Sequence, residues 1–210
     1  MAEAIFSKAG VNRSIEVSSP DGKPLSQAQI AWYKFGDAQI LAIVKENVAV
    51  AGVVGQDGVT TYNDANLGQV AKQEVIVKLP GKMYVTDVRS GKQLGYTDVV
   101  HTSILIGDAL VFGLSSKQNK INLDGPTAVE RGAHVHFKVN SNESTVALVR
   151  CHVFAPDGTR LPVYSSNILV QSGNGSFTLP FALNDAKGKY VVRATDVVTG
   201  ATVEKTVEVK

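Results

Sequence analysis

The sequence predicts an all-β protein made of two antiparallel β-sandwich domains in tandem. Short runs rich in Val, Ile, Thr and Tyr recur roughly every ten residues between Gly, Asp and Asn, as in sandwiches and barrels. Amphipathic helical periodicity is nearly absent. The polar stretch Ser115 to Asn119 suits an exposed linker between two strand-rich regions. We therefore predict domains at 1–116 and 117–210, with the boundary near Ser116.

The first half contains seven candidate strands followed or interrupted by turn residues. They are Ser14 to Ser18, Gln29 to Phe35, Gln39 to Lys45, Gln73 to Leu79, Met83 to Val88, His101 to Ile106 and Ala109 to Leu114. The Gly-rich stretch Val50 to Val70 predicts a long excursion between strands. Such a loop either carries a ligand site or is an elaborated hairpin without a ligand.

Alternating apolar positions define the strands of the second half, and the apolar side chains should face one core. The predicted core positions are Val135, Phe137 and Val139; Val149, Cys151 and Val153; Phe177, Leu179 and Phe181; and Val203, Val207 and Val209. The last set implies a slip of register after Val203. The predicted water-facing positions are Lys138, Arg150, Thr178 and Glu208.

Two short turn sequences occur once in each half. Pro20-Asp21-Gly22 returns as Pro156-Asp157-Gly158, and the segment 86–91 (Thr-Asp-Val-Arg-Ser-Gly) returns as 195–200 (Thr-Asp-Val-Val-Thr-Gly). Proline fixes φ, glycine accepts positive φ, and the Asp side chain bonds to nearby backbone. The distance along the chain between the two turn sequences differs in the two halves. We therefore interpret them as recurring hairpin turns rather than as proof of a duplication.

Charge and targeting signals exclude several classes of function. The formal net charge of +2 is spread evenly without a basic run, so nucleic acid is not an expected partner. No apolar run approaches the roughly 18 residues of a membrane span, and the first residues lack signal-peptide features. An initiator Met beside mid-domain sequence indicates a segment of a longer protein, for which we expect a secreted or periplasmic location.

Three segments of the first half resemble a known domain type. They are 39–47 (QILAIVKEN), 74–95 (EVIVKLPGKMYVTDVRSGKQLG) and 107–114 (GDALVFGL). They are similar to the C-terminal β domain that follows the catalytic barrel in large bacterial glycoside hydrolases of the β-galactosidase and related clans. The second half, through 149–158 (VRCHVFAPDG) and 188–197 (GKYVVRATDV), is similar to bacterial immunoglobulin-like or macroglobulin-like modules.

The resemblance implies architecture and an accessory role rather than a reaction. The catalytic carboxylates of those hydrolases lie on a barrel domain of roughly 250 residues, which has no counterpart in this chain. No catalytic residue can be carried over, and we expect neither a cofactor nor enzyme activity. The expected partners are the rest of a longer polypeptide and a polysaccharide.

The residues themselves offer few candidates for chemistry. The aspartates at 21, 87, 157 and 196 all lie in turn motifs that already explain them, so no catalytic carboxylate pair is predicted. His134 and His136 share one face of a strand and are the weak metal-ligand candidates, without an evident third ligand. Cys151 has no partner for a disulfide and lies in an apolar run, so we predict a buried thiol.

Aromatic side chains are the candidate carbohydrate contacts, since their faces can stack on a pyranose ring. The candidates are Trp32, Tyr33, Tyr62 and Tyr164, with ordinary core or edge packing as the alternative for each. Trp32 and Tyr33 are consecutive on a strand and should point to opposite faces. The leading hypothesis is a structural and carbohydrate-binding accessory module. An adhesin-type module for protein interaction or oligomerisation is the alternative, and an independent enzyme comes third.

Overall fold

A computed structural model describes residues 14–35, 38–45, 53–54, 60–61, 72–105, 107–142 and 146–210. Within these ranges the chain forms β-strands and one 3₁₀ turn at Pro162–Tyr164, with no α-helix. The predicted all-β, two-domain sandwich-like fold is confirmed. No helix in the described part of the chain is long and apolar enough to cross a membrane.

The first half forms one six-stranded sheet and a small separate ladder. The sheet contains β1 (Glu16–Ser18), β2 (Ala28–Phe35), β3 (Ala38–Lys45), β6 (Gln73–Asp87), β7 (Lys92–Ile104) and β8 (Ala109–Ser115). Its order is β1-β6-β8-β3-β2, and β7 pairs with β6. The ladder joins β4 (Val53–Val54) to β5 (Thr60–Thr61). Most of the predicted excursion at 50–70, including Tyr62, lies outside the described residues.

One long strand replaces two predicted ones. The segments 73–79 and 83–88 belong to the single strand β6, which runs through Pro80 and Gly81. The strand pairs with β1 at residues 76–78 and with β8 at residues 84–87. Pro80 lacks a backbone N–H, but it lies between these two ladders, so the missing donor does not interrupt the strand.

The described residues divide into two compact units. The first comprises the chain up to Trp32, Leu41–Met83 and Tyr96–Val111. The second comprises Tyr33–Ile40, Tyr84–Gly95 and Phe112–Lys210. The core of the first unit includes the almost fully buried side chains of Leu41, Ile43, Val75, Val77 and Ile104. The domain boundary near Ser116 stays a prediction.

The second unit contains an eight-stranded sheet curled around its own core. Its strands are β9 (Ile121–Asp124), β10 (Ala128–Val129), β11 (His134–Ser141), β12 (Val146–Phe154), β13 (Ser166–Gln171), β14 (Asn174–Pro180), β15 (Gly188–Asp196) and β16 (Thr202–Val209). The order is β10-β16-β15-β12-β13-β14-β11-β9. β9, at one end of this order, contacts β15 and β16 near the other end, which shows that the sheet is curled.

The predicted core of the second half is confirmed. Ten of the twelve predicted apolar side chains are buried, and Phe177 and Val203 are partly buried against the same cluster. Of the predicted water-facing residues, Lys138 and Thr178 are exposed, whereas Arg150 and Glu208 are half-buried. One face of each strand therefore supplies the core and leaves the other face for polar side chains.

The predicted slip of register in the last strand is wrong. β16 pairs with β15 without interruption, from Gly188 opposite Val209 to Thr195 opposite Thr202. Lys205 takes the inward position between the valines, and its Nζ lies 3.8 Å from Oδ1 of Asp124. The long lysine stem can cover apolar surface while its amine reaches that carboxylate, so no shift of the strand is needed.

The two Pro-Asp-Gly turns have the same geometry. Gly22 and Gly158 each donate their N–H to the carbonyl three residues earlier at 2.9 Å, with φ of 79° and 83°. The Asp21 and Asp157 carboxylates each accept the N–H of the residue two positions later. Hydrogen bonds from Lys23 lower the pKa of Asp21, and those from Thr159 lower the pKa of Asp157. These aspartates therefore act as turn caps, as the sequence predicts.

Gly113 on β8 should be intolerant of any side chain. A Cβ atom at this position would lie 2.1 Å from the carbonyl oxygen of Val198, a backbone atom that cannot move away freely. We expect Gly113→Ala to lower the free energy of unfolding by about 2 kcal/mol or more through overpacking. Thermal and urea unfolding measure this, with Gly81→Ala as the control because no atom lies within 4 Å of its Cβ position. Equal stability of the two variants would contradict the close backbone contact.

Candidate ligand-binding cleft

A cleft of about 410 Å³ lies within the second unit. One wall is the tip of the β6–β7 hairpin, and the other is the outer face of β12, β15 and β16. Its lining residues are Thr86, Val88, Arg89, Ser90, Gly91, Arg150, His152, Arg193, Thr195, Asp196, Val197, Gly200, Thr202 and Glu204. This volume is within the range of small-molecule sites, and the lining presents comparable amounts of polar and apolar surface.

The hairpin wall is shaped by the side chain of Asp87. Its Oδ1 accepts the N–H groups of Arg89 at 3.0 Å and Ser90 at 3.4 Å, and its Oδ2 accepts the Ser90 hydroxyl at 2.7 Å. Gly91 donates its N–H to the Asp87 carbonyl at 2.8 Å with φ of 71°. These local bonds fix the turn because they satisfy backbone donors that cannot pair across the hairpin.

Asp196 uses the same bonds in a buried setting. Its Oδ1 accepts the N–H groups of Val198 at 2.8 Å and Thr199 at 3.2 Å. Its Oδ2 accepts the side-chain amide of Asn119 at 2.5 Å. The residue is only 2% exposed. Asn119 in turn accepts the Ser141 hydroxyl through its own Oδ1 at 2.9 Å, so the stretch predicted as a linker is tied to the sheet.

The two Asp-containing turns touch each other within this unit. The Gln93 side-chain amide donates to the Thr199 carbonyl at 3.0 Å. A Cβ on Gly200 would lie 2.9 Å from the Gln93 side chain and 3.2 Å from that of Thr86, so the glycine permits close approach. Because φ at Gly200 is 70°, glycine is also favoured there by backbone conformation. The hairpin tip is thus fixed beside the outer face of the sheet.

Arginine and histidine side chains are grouped on that outer face by strand register. His152 on β12 pairs with Arg193 on β15, and Arg193 pairs with Glu204 on β16. The Arg193 Nε lies 2.6 Å from Oε1 of Glu204, and its guanidinium carbon lies 4.7 Å from the Phe154 ring centroid. Stacking and ion pairing together limit the orientations available to Arg193.

Arg150 adds further positive charge to the cleft, and His152 adds an imidazole. The Arg150 Nε donates to Oδ1 of Asn167 at 3.3 Å. Burial lowers the pKa of His152, and the positive charges of Arg160, Arg150 and Arg193 lower it further. The imidazole is therefore mainly neutral at pH 7, with one nitrogen able to donate and the other able to accept.

The buried thiol is confirmed and has no role in this cleft. Cys151 is fully buried on the opposite face of β12, in the core. Burial raises the pKa of the Cys151 thiol to about 12. A thiol with this pKa is almost entirely protonated at neutral pH and is a poor nucleophile.

The predicted aromatic site residues that the structure describes are not among the residues that line this cleft. Tyr33 is 56% exposed and Trp32 is half-buried, as expected for neighbours on a strand. Tyr164 is half-buried, and its hydroxyl donates to Oδ2 of Asp185 at 2.6 Å. These three residues do not line the cleft, and Tyr62 lies outside the described residues. Their role in carbohydrate binding stays a prediction.

The histidine pair is on the surface of the sheet. His134 and His136 both lie on the exposed face of β11, and the His136 Nδ1 is 3.4 Å from the Thr178 hydroxyl. Across the described ranges, no group of three or more His, Cys, Asp or Glu side chains is placed to hold a metal ion. No protein-family model matches the chain, and no curated protein matches its sequence.

Sequence reasoning missed the cleft because its two walls are far apart along the chain. The hairpin wall lies at 86–91, whereas the sheet wall lies at 150–204. A signal was present in the alternation of the strands: Arg150 and His152 share the outward parity of β12, and Arg193 has the outward parity of β15. The pairing of β12 with β15, which brings these positions together, is a tertiary fact.

Asp196 and Asp87 form a matched pair for testing the buried network. Asp196→Ala leaves the Asn119 amide and two backbone N–H groups without their acceptor in a buried site, so we expect a loss of about 2–4 kcal/mol in unfolding free energy. Asp87→Ala alters the same turn in a more exposed place, where water replaces the lost bonds, and should cost about 1 kcal/mol or less. Urea unfolding of both variants makes the comparison. A larger loss in Asp87→Ala would contradict the importance of burial.

Proposed function

We propose that the chain is a non-catalytic accessory region of a larger glycoside-hydrolase-like protein, with a structural role and a carbohydrate-binding site in the cleft. The observation that carries the proposal is the cleft itself, in which polar side chains from three strands and one hairpin converge. A binding module needs a concave surface with a few placed polar groups. It needs no nucleophile or acid–base pair.

The state of the turn aspartates supports a non-catalytic role. A glycosidase requires a carboxylic acid whose pKa is raised, opposite a second carboxylate. Asp21 and Asp157 have lowered pKa values because they accept turn hydrogen bonds. Asp87 and Asp196 are likewise bonded to the backbone of their own turns. The carboxylates of these four residues therefore stabilise turns, which is a structural role.

The strand order of the second unit supports an immunoglobulin-like module. One group of strands runs β9-β11-β14-β13, and the other runs β12-β15-β16. These correspond to the ABED and CFG sheets of immunoglobulin-like domains when β9 and β10 together serve as strand A. β10 pairs in parallel with the last strand, so strand A switches between the two groups.

The cleft presents donors and acceptors suited to sugar hydroxyls. The Thr195 and Thr202 hydroxyls lie 3.1 Å apart on neighbouring strands, and Thr202 donates to the Gly200 carbonyl at 3.2 Å, so both hydroxyl oxygens can still accept a hydrogen bond. His152 adds a neutral imidazole beside Arg150 and Arg193. Polar side chains on paired strands are held at fixed spacing, so binding requires little ordering of the protein.

Affinity electrophoresis through gels containing neutral and acidic polysaccharides tests this function. We expect at least one polymer to retard the chain, and Thr202→Leu to abolish most of that retardation by removing a hydroxyl and filling the cleft. The matched control is Thr206→Leu, because Thr206 is exposed on the same face of β16 but does not line the cleft. We expect no release of reducing sugar from any polymer.

Retardation that both variants lose equally would place the binding site elsewhere on the sheet. Release of reducing sugar that follows the purified chain would overturn the non-catalytic role. Both variants must melt near the parent temperature, which thermal unfolding checks.

Exposed apolar side chains favour the alternative function, a protein-interaction or oligomerisation module. Leu148 on β12 pairs with Leu169 on β13, and Val146 lies two positions earlier on the same face. All three are more than one-third exposed. Neighbouring exposed apolar side chains are typical of interaction surfaces.

Sedimentation velocity over a wide concentration range tests the alternative. If this surface mediates self-association, the sedimentation coefficient rises with concentration, and Leu169→Gln prevents the rise. Leu183→Gln is the control, since Leu183 is also exposed but lies in a loop. A concentration-independent monomer would count against oligomerisation and leave the carbohydrate function as the better account.

A further inference from the structure

We propose that the cleft binds the carboxylate of an acidic saccharide, so that its ligand is a uronate-containing polymer rather than a neutral one. This inference rests on the proposed carbohydrate-binding function and names the class of ligand. It comes from the charges that line the cleft and from the hydrogen bonds that those charges already make.

The cationic groups retain unused donors. Arg150 bonds through Nε to Asn167, and Arg193 bonds through Nε to Glu204. A guanidinium has five N–H donors, four of them on the two terminal nitrogens. Within the described part of the chain, the terminal nitrogens of these two arginines have no hydrogen-bond partner. Two terminal N–H groups on one arginine match the two oxygens of a carboxylate.

The anionic groups in the lining already have hydrogen-bond or ion-pair partners. Both oxygens of Asp196 are occupied by backbone N–H groups and Asn119, in a buried position. Glu204 is paired with Arg193. A negative ligand therefore meets two half-exposed guanidinium groups, while the one unburied carboxylate is partly offset by its ion pair.

The groups around the arginines favour a sugar acid over a simple anion. The hydroxyl pair of Thr195 and Thr202 lies next to Arg150 and Arg193, because Thr195 pairs with Arg150 and Thr202 with Thr195. A uronate carries a carboxylate and several hydroxyls on one ring, so both features can be satisfied together. The absence of a basic run in the sequence argues against a polyphosphate backbone as the ligand.

Histidine 152 gives the cleft an internal reporter of bound anion. The charges that act on it are those of Arg160, Arg150 on its own strand and Arg193 on β15. The other charged residues that line the same cleft are Glu204, Arg89 and Asp196. The arginines disfavour the imidazolium. A bound carboxylate would offset them and favour the protonated form, so the pKa of His152 should rise on binding.

Affinity electrophoresis in polygalacturonate, with hydroxyethylcellulose as the neutral polymer, is the first test. We expect polygalacturonate to retard the full chain, and Arg150→Gln and Arg193→Gln each to weaken the apparent affinity about tenfold. The matched control is Arg131→Gln, which removes the same charge from an exposed arginine outside the cleft. Its affinity should stay within about twofold of the parent.

A variant that is expected to bind polygalacturonate more tightly makes the test independent of folding defects. Glu204→Gln removes the counter-charge of Arg193 and should tighten binding of polygalacturonate about two- to fivefold. A destabilised protein would bind less, so tighter binding cannot arise from unfolding. Equal weakening by Arg150→Gln and Arg131→Gln would mean that only net charge matters, and the inference would fail.

The second measurement is an NMR titration of His152 with and without trigalacturonate. We expect a higher pKa for the imidazole with saturating ligand, and no change with a neutral galactose trimer. Retardation by hydroxyethylcellulose but not by polygalacturonate would overturn the inference and leave the proposed function standing. A raised His152 pKa without retardation by any polymer would overturn both the polymeric ligand and the polysaccharide-binding function. No change in the pKa at saturation would exclude a carboxylate beside His152.

Discussion

The second unit and its cleft depend on the hydrogen bonds that the buried Asp196 carboxylate accepts. A charge at 2% exposure is costly unless its oxygens are hydrogen-bonded, and here each oxygen has a partner. One oxygen shapes the turn, and the other holds Asn119 from the segment that precedes β9. The same turn contacts Gly113 and Gln93. The hydrogen bonds of this one side chain therefore hold together the turn, the segment before β9 and one wall of the cleft.

The division of each strand into two faces explains how a stable core and a polar site coexist. Inward positions of β12 and β15 carry Val149, Cys151, Val192 and Ala194, all fully buried. The outward positions are not needed for packing, so they can carry arginine, histidine and threonine without loss of core stability. Their spacing is fixed by the ladder beneath them. The sheet wall of the cleft is therefore carried by the same strands that pack the core.

The repeated turns show one local solution placed in two environments. The carboxylates of Asp87 and Asp196 each accept the backbone N–H groups two and three residues later, and a glycine four residues after each has φ near 70°. Asp87 stays partly exposed, whereas Asp196 is buried and acquires the Asn119 amide. The turn geometry thus depends on neighbouring residues alone. How much the turn contributes to the free energy of unfolding depends on whether other residues bury it.

The sequence by itself determined the all-β class, the core face of the second half, the burial of Cys151 and the capped turns, because alternation and turn chemistry are local properties. It did not reveal the continuity of β6 through Pro80 or the inward place of Lys205, since both depend on strand partners. Nor did it reveal the cleft: Arg150, Arg193 and the hairpin at 86–91 are distant in sequence. Only strand pairing and the contact between two turns bring them together, and these are decided by the tertiary structure.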